Sequence, residues 1–277
     1  MSKAYEAIFN QVMKRMEAGV IPWQKPWNHA PANGKTGKAY RGINSLVLGM
    51  SAYQSNRWVT FKQAQDLGGS VKKGEKATTV VFWNFGKEQD VNTGKDKSFA
   101  WLKTYAVFNA EQTEGCNFPE VAVVENADAA IIVAQSGMAD IILTGGNVAC
   151  YIPSKDIVKV PPMTAFTSPD AYYATLFHEL GHATGAETRL KRPGIVNSDG
   201  FGNAAYSQEE LVAEFTSAFL CQTCGLNSTR QIDQTAAYLQ NWMTALRNDP
   251  AMLVKASGQA QKAADFIRGI VAEVIED

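Results

Sequence analysis

Three residues in this chain carry chemistry by type and spacing: His178, Glu179 and His182. On a helix of ~3.6 residues per turn, positions four apart project from one face, so both imidazoles can reach one ion. Glu179 points to the same side, where a carboxylate can take a proton from water held by the ion and pass it to a leaving amine. This H-E-x-x-H spacing predicts a site for zinc, or another divalent transition metal, suited to hydrolysing a peptide bond. The chain holds only three histidines, and two of them stand in the motif, which weighs against coincidence. Ser168-Pro169-Asp170 opens the helix with a capping hydroxyl, a first-turn proline and an acid at the positive end. Gly181 and Gly185 are expected to leave room beside the metal and to end the helix.

A catalytic zinc needs a third protein ligand and an open position. The remaining histidine, His29, lies far upstream, so the ligand must be of another type. Downstream, Glu209, Glu210 and Glu214 sit at the start of a second helix, with Ser207 placed as its cap in a capping-box spacing to Glu210. Glu210 and Glu214 are four apart on one face, so one can ligate while the other holds a histidine from behind. The pattern resembles the gluzincin arrangement, in which a later helix supplies E-x-x-x-D/E. That resemblance implies Glu210 as ligand and Glu214 as the supporting carboxylate, with Glu209 third in line. Tyr206 could hydrogen-bond a tetrahedral oxyanion, but packing at the helix entry accounts for it better. The strand 156–160 offers an edge along which a peptide could add. Cys221 and Cys224 lack a matching second pair, which favours two thiols buried in a helix over a metal or redox site.

The elements that must position these residues lie mostly in the second half. A helix over 127–136, a strand near 140–144, strands around 151–153 and 156–160, and helices over 169–184, 208–224, 229–246 and 250–276 describe a mostly helical domain with a small sheet. The first half reads differently. It has a helix over 3–18, a Pro/Gly/Lys/aromatic loop over 22–42, short helices at 43–53 and 61–67, and paired strands at 78–85 and 99–109. A polar loop over 86–97 joins those strands. Residues 117–127 look like the boundary. The expected fold class is α+β in two domains, 1–120 and 127–277.

Charge separates the halves as well. Residues 1–118 carry 16 Lys and Arg against 9 Asp and Glu, and five of the six tryptophans, within a net charge of −1 for the whole chain. Cations interleaved with rings suit single-stranded nucleic acid, because phosphates need charge and unstacked bases need planar faces. The candidates are Trp23, Lys25, Trp27, Lys35, Lys38, Tyr40, Arg41, Trp58, Lys62, Lys72, Lys73 and Lys76. Trp83 and Trp101, on paired strands, are expected in the core. Four scattered cysteines do not make a disulfide framework. There is no secretory-type leader and no apolar run of the ~18 residues a membrane span needs, so a cytoplasmic protein with no membrane partner is expected.

The runs Val20-Ile21-Pro22-Trp23-Gln24-Lys25-Pro26-Trp27, Tyr40-Arg41-Gly42-Ile43-Asn44, Trp58-Val59-Thr60-Phe61-Lys62-Gln63-Ala64 and Val71-Lys72-Lys73-Gly74-Glu75-Lys76 resemble the N-terminal domain of ArdC-type antirestriction proteins of conjugative plasmids. Related domains occur in plasmid primases. His178-Glu179-Leu180-Gly181-His182 with Glu209-Glu210-Leu211-Val212-Ala213-Glu214 resembles the zincin-like C-terminal domain of the same family. The resemblance implies a single-stranded-DNA-binding domain joined to a zincin-like metallopeptidase domain that protects incoming plasmid DNA from host restriction, with a protein substrate or restriction-enzyme partner. The rival expectation is a non-catalytic protein that coats DNA or binds the restriction enzyme and keeps a structural or vestigial metal site.

Overall fold

The computed structural model describes residues 3–23, 30–89, 96–120, 126–196, 204–227 and 236–270. In chain order the first half contains α1 (Lys3–Glu17), β1 (Ala32–Asn33), α2 (Ile43–Gly49), β2 (Arg57–Val59), α3 (Phe61–Asp66), β3 (Ser70–Val71), β4 (Thr78–Gln89), β5 (Asp96–Asn109) and β6 (Thr113–Glu114). The second half contains α4 (Ala129–Gln135), β7 (Ile142–Thr144), β8 (Cys150–Ile152), β9 (Ile157–Val160), α5 (Pro169–Ala183), α6 (Pro193–Val196), α7 (Ala204–Cys224), α8 (Ala236–Asn248) and α9 (Met252–Ile267). The architecture is the expected α+β, with two mixed regions of helices and small sheets. No helix among the described residues is long and apolar enough to cross a membrane.

β4 and β5 form a long antiparallel hairpin, and β5 continues onto β2 and then β1 in a four-stranded sheet ordered β1-β2-β5-β4. Both strands run further than their hydrophobic stretches suggest, because residues 86–89 and 96–97, expected as loop, keep the ladder to the Gln89–Asp96 pair. Thr60 caps α3 with a full capping box to Gln63. Asn44 of α2 acts as a local strand partner: its amide donates to Val81 O at 2.6 Å, and its carbonyl accepts from Val81 N at 2.8 Å. This pins the helix to β4.

The halves are not packed as separate beads. One apolar cluster runs from Ile8, Val12 and Met16 of α1 through Trp23 to Phe215, Trp242 and Leu246. Trp23 meets Phe215 edge-on at 5.2 Å and Trp242 at 6.0 Å. Polar ties reinforce the junction: Ser45 donates to Gln222 at 2.8 Å, Gly42 N donates to Gln261 at 3.0 Å, and Arg41 pairs with Asp265. A smaller cluster of Tyr40, Leu48, Trp58, Val80 and Val107 sits inside the N-terminal region.

In the second half the sheet order is β7-β9-β8, with β9 parallel to β7 and antiparallel to β8. β9, read from sequence as an edge for substrate, is therefore the central strand. Its backbone groups are taken on both sides, and β8 is the edge beside α5. α7 begins at Ala204, so Ser207 lies inside the helix and does not cap it.

Trp23→Ala would remove a ring that is 2% exposed and shared by both halves. We expect a loss of about 3–5 kcal/mol in chemical denaturation, as for other large aromatic truncations in a core.

Candidate functional site

The site is built where α5 crosses α7. α5 starts as expected, with Ser168 Oγ accepting from Ala171 N at 3.1 Å. How closely the two helices approach is set by Gly181, where a Cβ would lie 3.2 Å from Ala213 Cα and 3.2 Å from Thr216 Cβ. Gly181 thus serves the helix contact, not open space beside a metal. Gly185 gives its space to Arg192, whose Nη2 would stand 2.9 Å from a Cβ there.

This crossing aligns two histidines with three glutamates. His178 Nε2 and His182 Nε2 are 3.1 Å apart, and Glu210 places Oε2 3.6 Å from the first and Oε1 3.5 Å from the second. Two nitrogens bound to one tetrahedral ion at ~2.0–2.1 Å stand ~3.3 Å apart, so this donor set fits a divalent ion without rearrangement. The outer nitrogens face carboxylates too: His178 Nδ1 is 3.8 Å from Glu214, and His182 Nδ1 is 3.3 Å from Glu209. Carboxylates behind metal-binding imidazoles orient the rings and raise their basicity.

Glu209, ranked last among the sequence candidates for a ligand, has this supporting place because of Arg192. The buried guanidinium donates from Nε and Nη2 to the two Glu209 oxygens at 2.9 and 2.6 Å. Its remaining donors reach Thr184 Oγ1 and Gly181 O, both at 2.7 Å. Arg192 was not foreseen, because no periodicity links it to the motif.

The charges shape the titration of the cluster. Burial opposes a charge on His182, but hydrogen bonds to Glu209 and Glu210 outweigh it and push its pKa up to about 10. Burial also opposes the charge on Glu210, yet its hydrogen bonds to both histidines hold it well below the usual carboxylate range. An ion bound by these groups would displace a proton held among them. Tyr206 hydrogen-bonds Glu210, and burial together with that carboxylate's charge pushes the phenol up to about 12, so it is protonated at neutral pH.

Glu179 is held from the other side. Its Oε2 accepts from the backbone N–H of Tyr151, on β8, at 2.9 Å. The Tyr151 hydroxyl donates to Asp156 at 2.8 Å, and Asp156 is clamped by Arg189, whose Nε donates to Ala183 O at 2.7 Å near the end of α5. A closed brace thus links β8, which fixes Glu179, back to the helix that carries Glu179. Cys221 and Cys224 are free thiols buried on α7, and burial raises both above the usual thiol range.

The sequence-predicted DNA residues scatter. Trp23 and Trp58 are core residues, because the loop and strand carrying them turn inward, so neither offers a ring face to a base. Tyr40 is largely buried as well. Lys25 and Trp27 lie outside the described residues. Lys35 pairs with Asp66 at 2.7 Å, and Lys72 donates to Glu111 O at 2.8 Å. Lys38, Arg41, Lys62, Lys73 and Lys76 are exposed. Trp83 and Trp101, expected in the core, are 51% and 43% exposed. The hairpin outruns the helices that cover its base, where Val80, Val81 and Val107 are buried.

Comparison with known proteins adds a second line of evidence. Residues 2–108 match the model of the N-terminal domain of anti-restriction factor ArdC, and residues 127–259 match that of a zincin-like metallopeptidase. The fold is similar to the crystal structure of the antirestriction ArdC protein from plasmid R388 in its metal-free form, with TM-score 0.79 and 38% identity over 97% of this chain and 98% of that one. The chain belongs to the ArdC antirestriction family. The Mn(II)-bound R388 ArdC structure is similar at TM-score 0.77 and 37% identity, covering 99% of this chain and 100% of that one. An uncharacterized protein, y4eC of Sinorhizobium fredii strain NGR234, is 35% identical across 95% of this chain and 91% of its own length. A DNA primase TraC of Escherichia coli is 35% identical over 99% of this chain, which spans only 28% of the primase. A zincin-like domain implies a divalent metal, and among the described residues of this ArdC-family chain His178, His182 and Glu210 bring donor atoms that all lie within 4.8 Å of one another.

Arg192→Ala would strand the buried Glu209 carboxylate. We expect a destabilisation of about 3–5 kcal/mol, and divalent-metal affinity reduced ~10–100-fold in calorimetric titration because His182 loses its fixed partner.

Proposed function

We propose that this ArdC-family protein is a zinc-dependent peptidase joined to a single-stranded-DNA-binding domain, and that together they protect incoming plasmid DNA from restriction. The units would be residues 1–120 and 127–277, with zinc held by His178, His182 and Glu210. The observation that carries the peptidase reading is the Glu179 carboxylate, buried beside a three-residue donor set and held by a backbone N–H of the neighbouring edge strand. A purely structural site has no use for a positioned base next to an incomplete donor set. The Mn(II)-bound relative supports a divalent metal for this family, and the imidazole-rich donor set of this chain favours zinc.

Held by His178, His182 and Glu210, a zinc ion would supply Lewis acidity at a peptide carbonyl and lower the pKa of water. The chain's own residues do the rest. With Oε2 fixed by Tyr151 N–H, Glu179 takes the proton of the attacking water at Oε1 and returns it to the leaving amine. Tyr206, kept protonated, donates to the oxyanion of the tetrahedral intermediate. Glu214 and Glu209 keep the two imidazoles oriented. A peptide substrate would lie along β8, the sheet edge whose Tyr151 already faces Glu179.

The DNA-binding reading rests on the excess of cations over carboxylates in residues 1–118, 16 against 9, with Lys38, Arg41, Lys62, Lys72, Lys73 and Lys76 at the surface. Such binding is salt-sensitive, and log affinity against log salt should fall with a slope of about −0.7 for each phosphate contacted. A slope near zero in anisotropy titrations would contradict it.

Glu179→Gln should keep metal binding while lowering peptide hydrolysis by ~10²–10⁴-fold, measured against a peptide library with the metal-loaded protein. Full antirestriction activity in that variant would instead favour protection by binding alone.

A further inference from the structure

A cleft of about 700 Å³ opens between the hairpin and α9. Its walls come from both family domains. Lys38 and Arg41 precede α2, Phe82 and Trp83 lie on β4, Tyr105 lies on β5, and Lys262 lies on α9. Phe82 is 44% exposed, and with Tyr40 at 6.3 Å and Tyr105 at 5.5 Å it forms a row of rings. Lys103 sits over the Tyr105 ring at 5.5 Å. The single carboxylate among the described lining residues, Asp265, is already paired with Arg41. Lys38, Lys103 and Lys262 make no ion pair among the described residues.

Large aromatic rings left half in water are unusual in a monomer unless something covers them. Here they stand among Lys38, Lys103 and Lys262, which no carboxylate of the described residues balances. Stacking faces lined by positive charge suit one occupant, a strand with bases to stack and phosphates to neutralise. A peptide would have no reason to meet so many cations, and a duplex hides its base faces.

We infer that single-stranded DNA runs through this cleft, so that the strand is gripped by the hairpin rings on one side and by Lys262 of α9 on the other. This rests on the DNA-binding reading above and moves the contact surface away from the sequence-predicted loop tryptophans. DNA binding then belongs to both domains. α9 also packs against α7, which carries Glu209, Glu210 and Glu214, so the strand rests on a helix that backs the metal site.

The test uses the full-length chain, a labelled single-stranded oligothymidylate and fluorescence anisotropy at several salt concentrations. Lys262→Glu should weaken binding about tenfold or more and flatten the salt dependence. Phe82→Ala with Trp83→Ala should weaken binding by a similar factor, with the circular-dichroism spectrum and cooperative melting of the fold retained, because both rings are half exposed. Lys255→Glu, on the same helix but outside the cleft, should bind like the native chain. Native affinity in both cleft variants would overturn the inference and leave the DNA-binding reading standing. Equal loss in Lys255→Glu would overturn it too, by showing only diffuse attraction. No binding by the native chain would overturn the DNA-binding reading itself, and this inference with it.

Discussion

The close packing of α5 on α7 governs the second half of the molecule. With Gly181 Cα pressed toward Ala213 and Thr216, the two helices come near enough for side chains of opposite type to meet across the gap. His178 and His182 alone are two bases on one helix face. Glu209, Glu210 and Glu214 alone are three acids that would repel one another. Brought together, each carboxylate finds an imidazole, and the one left with excess charge, Glu209, finds Arg192. Several buried ionisable groups survive because every one has a partner, as burial of charge requires. The arrangement also sets His178 Nε2, His182 Nε2 and the Glu210 carboxylate at the spacing a divalent ion would need.

Much of this was legible in the residues. The H-E-x-x-H spacing, the Ser168 cap and the i, i+4 relation of Glu210 and Glu214 are local facts, and local facts survive folding. The features that escaped are tertiary. Arg192 reaches Glu209 across a turn where Lys191 adopts a positive φ of 49°, and nothing in the pattern of residues announces it. The strand 156–160 reads as an edge, but the chain turns back after β8 and lays β9 between β7 and β8. Ser207 reads as a cap because serine before glutamates usually is one, but α7 begins a turn earlier at Ala204.

The aromatic residues misled in both directions, for one physical reason. A tryptophan in a Pro/Lys loop looks available and one on a strand looks buried, yet burial is decided by what lies opposite. Trp23 has Phe215 and Trp242 opposite it, contributed by helices nearly two hundred residues later. Trp83 and Trp101 stay about half exposed, because the hairpin extends past the helices at its base. The charge asymmetry between halves was visible at once, but the surface where charge and rings coincide draws Lys262 from the acidic half. The shared core through Trp23 explains how one cleft can use both.

The proposed chemistry depends on His178, His182 and Glu210 holding a divalent ion. Elemental analysis of the purified chain beside its His178→Ala variant, with single-stranded-DNA binding followed on both, tests it most directly. About one divalent ion per native chain is expected, zinc foremost, lost in the variant while DNA binding survives. A native chain that holds no ion even after reconstitution with zinc or manganese would contradict it.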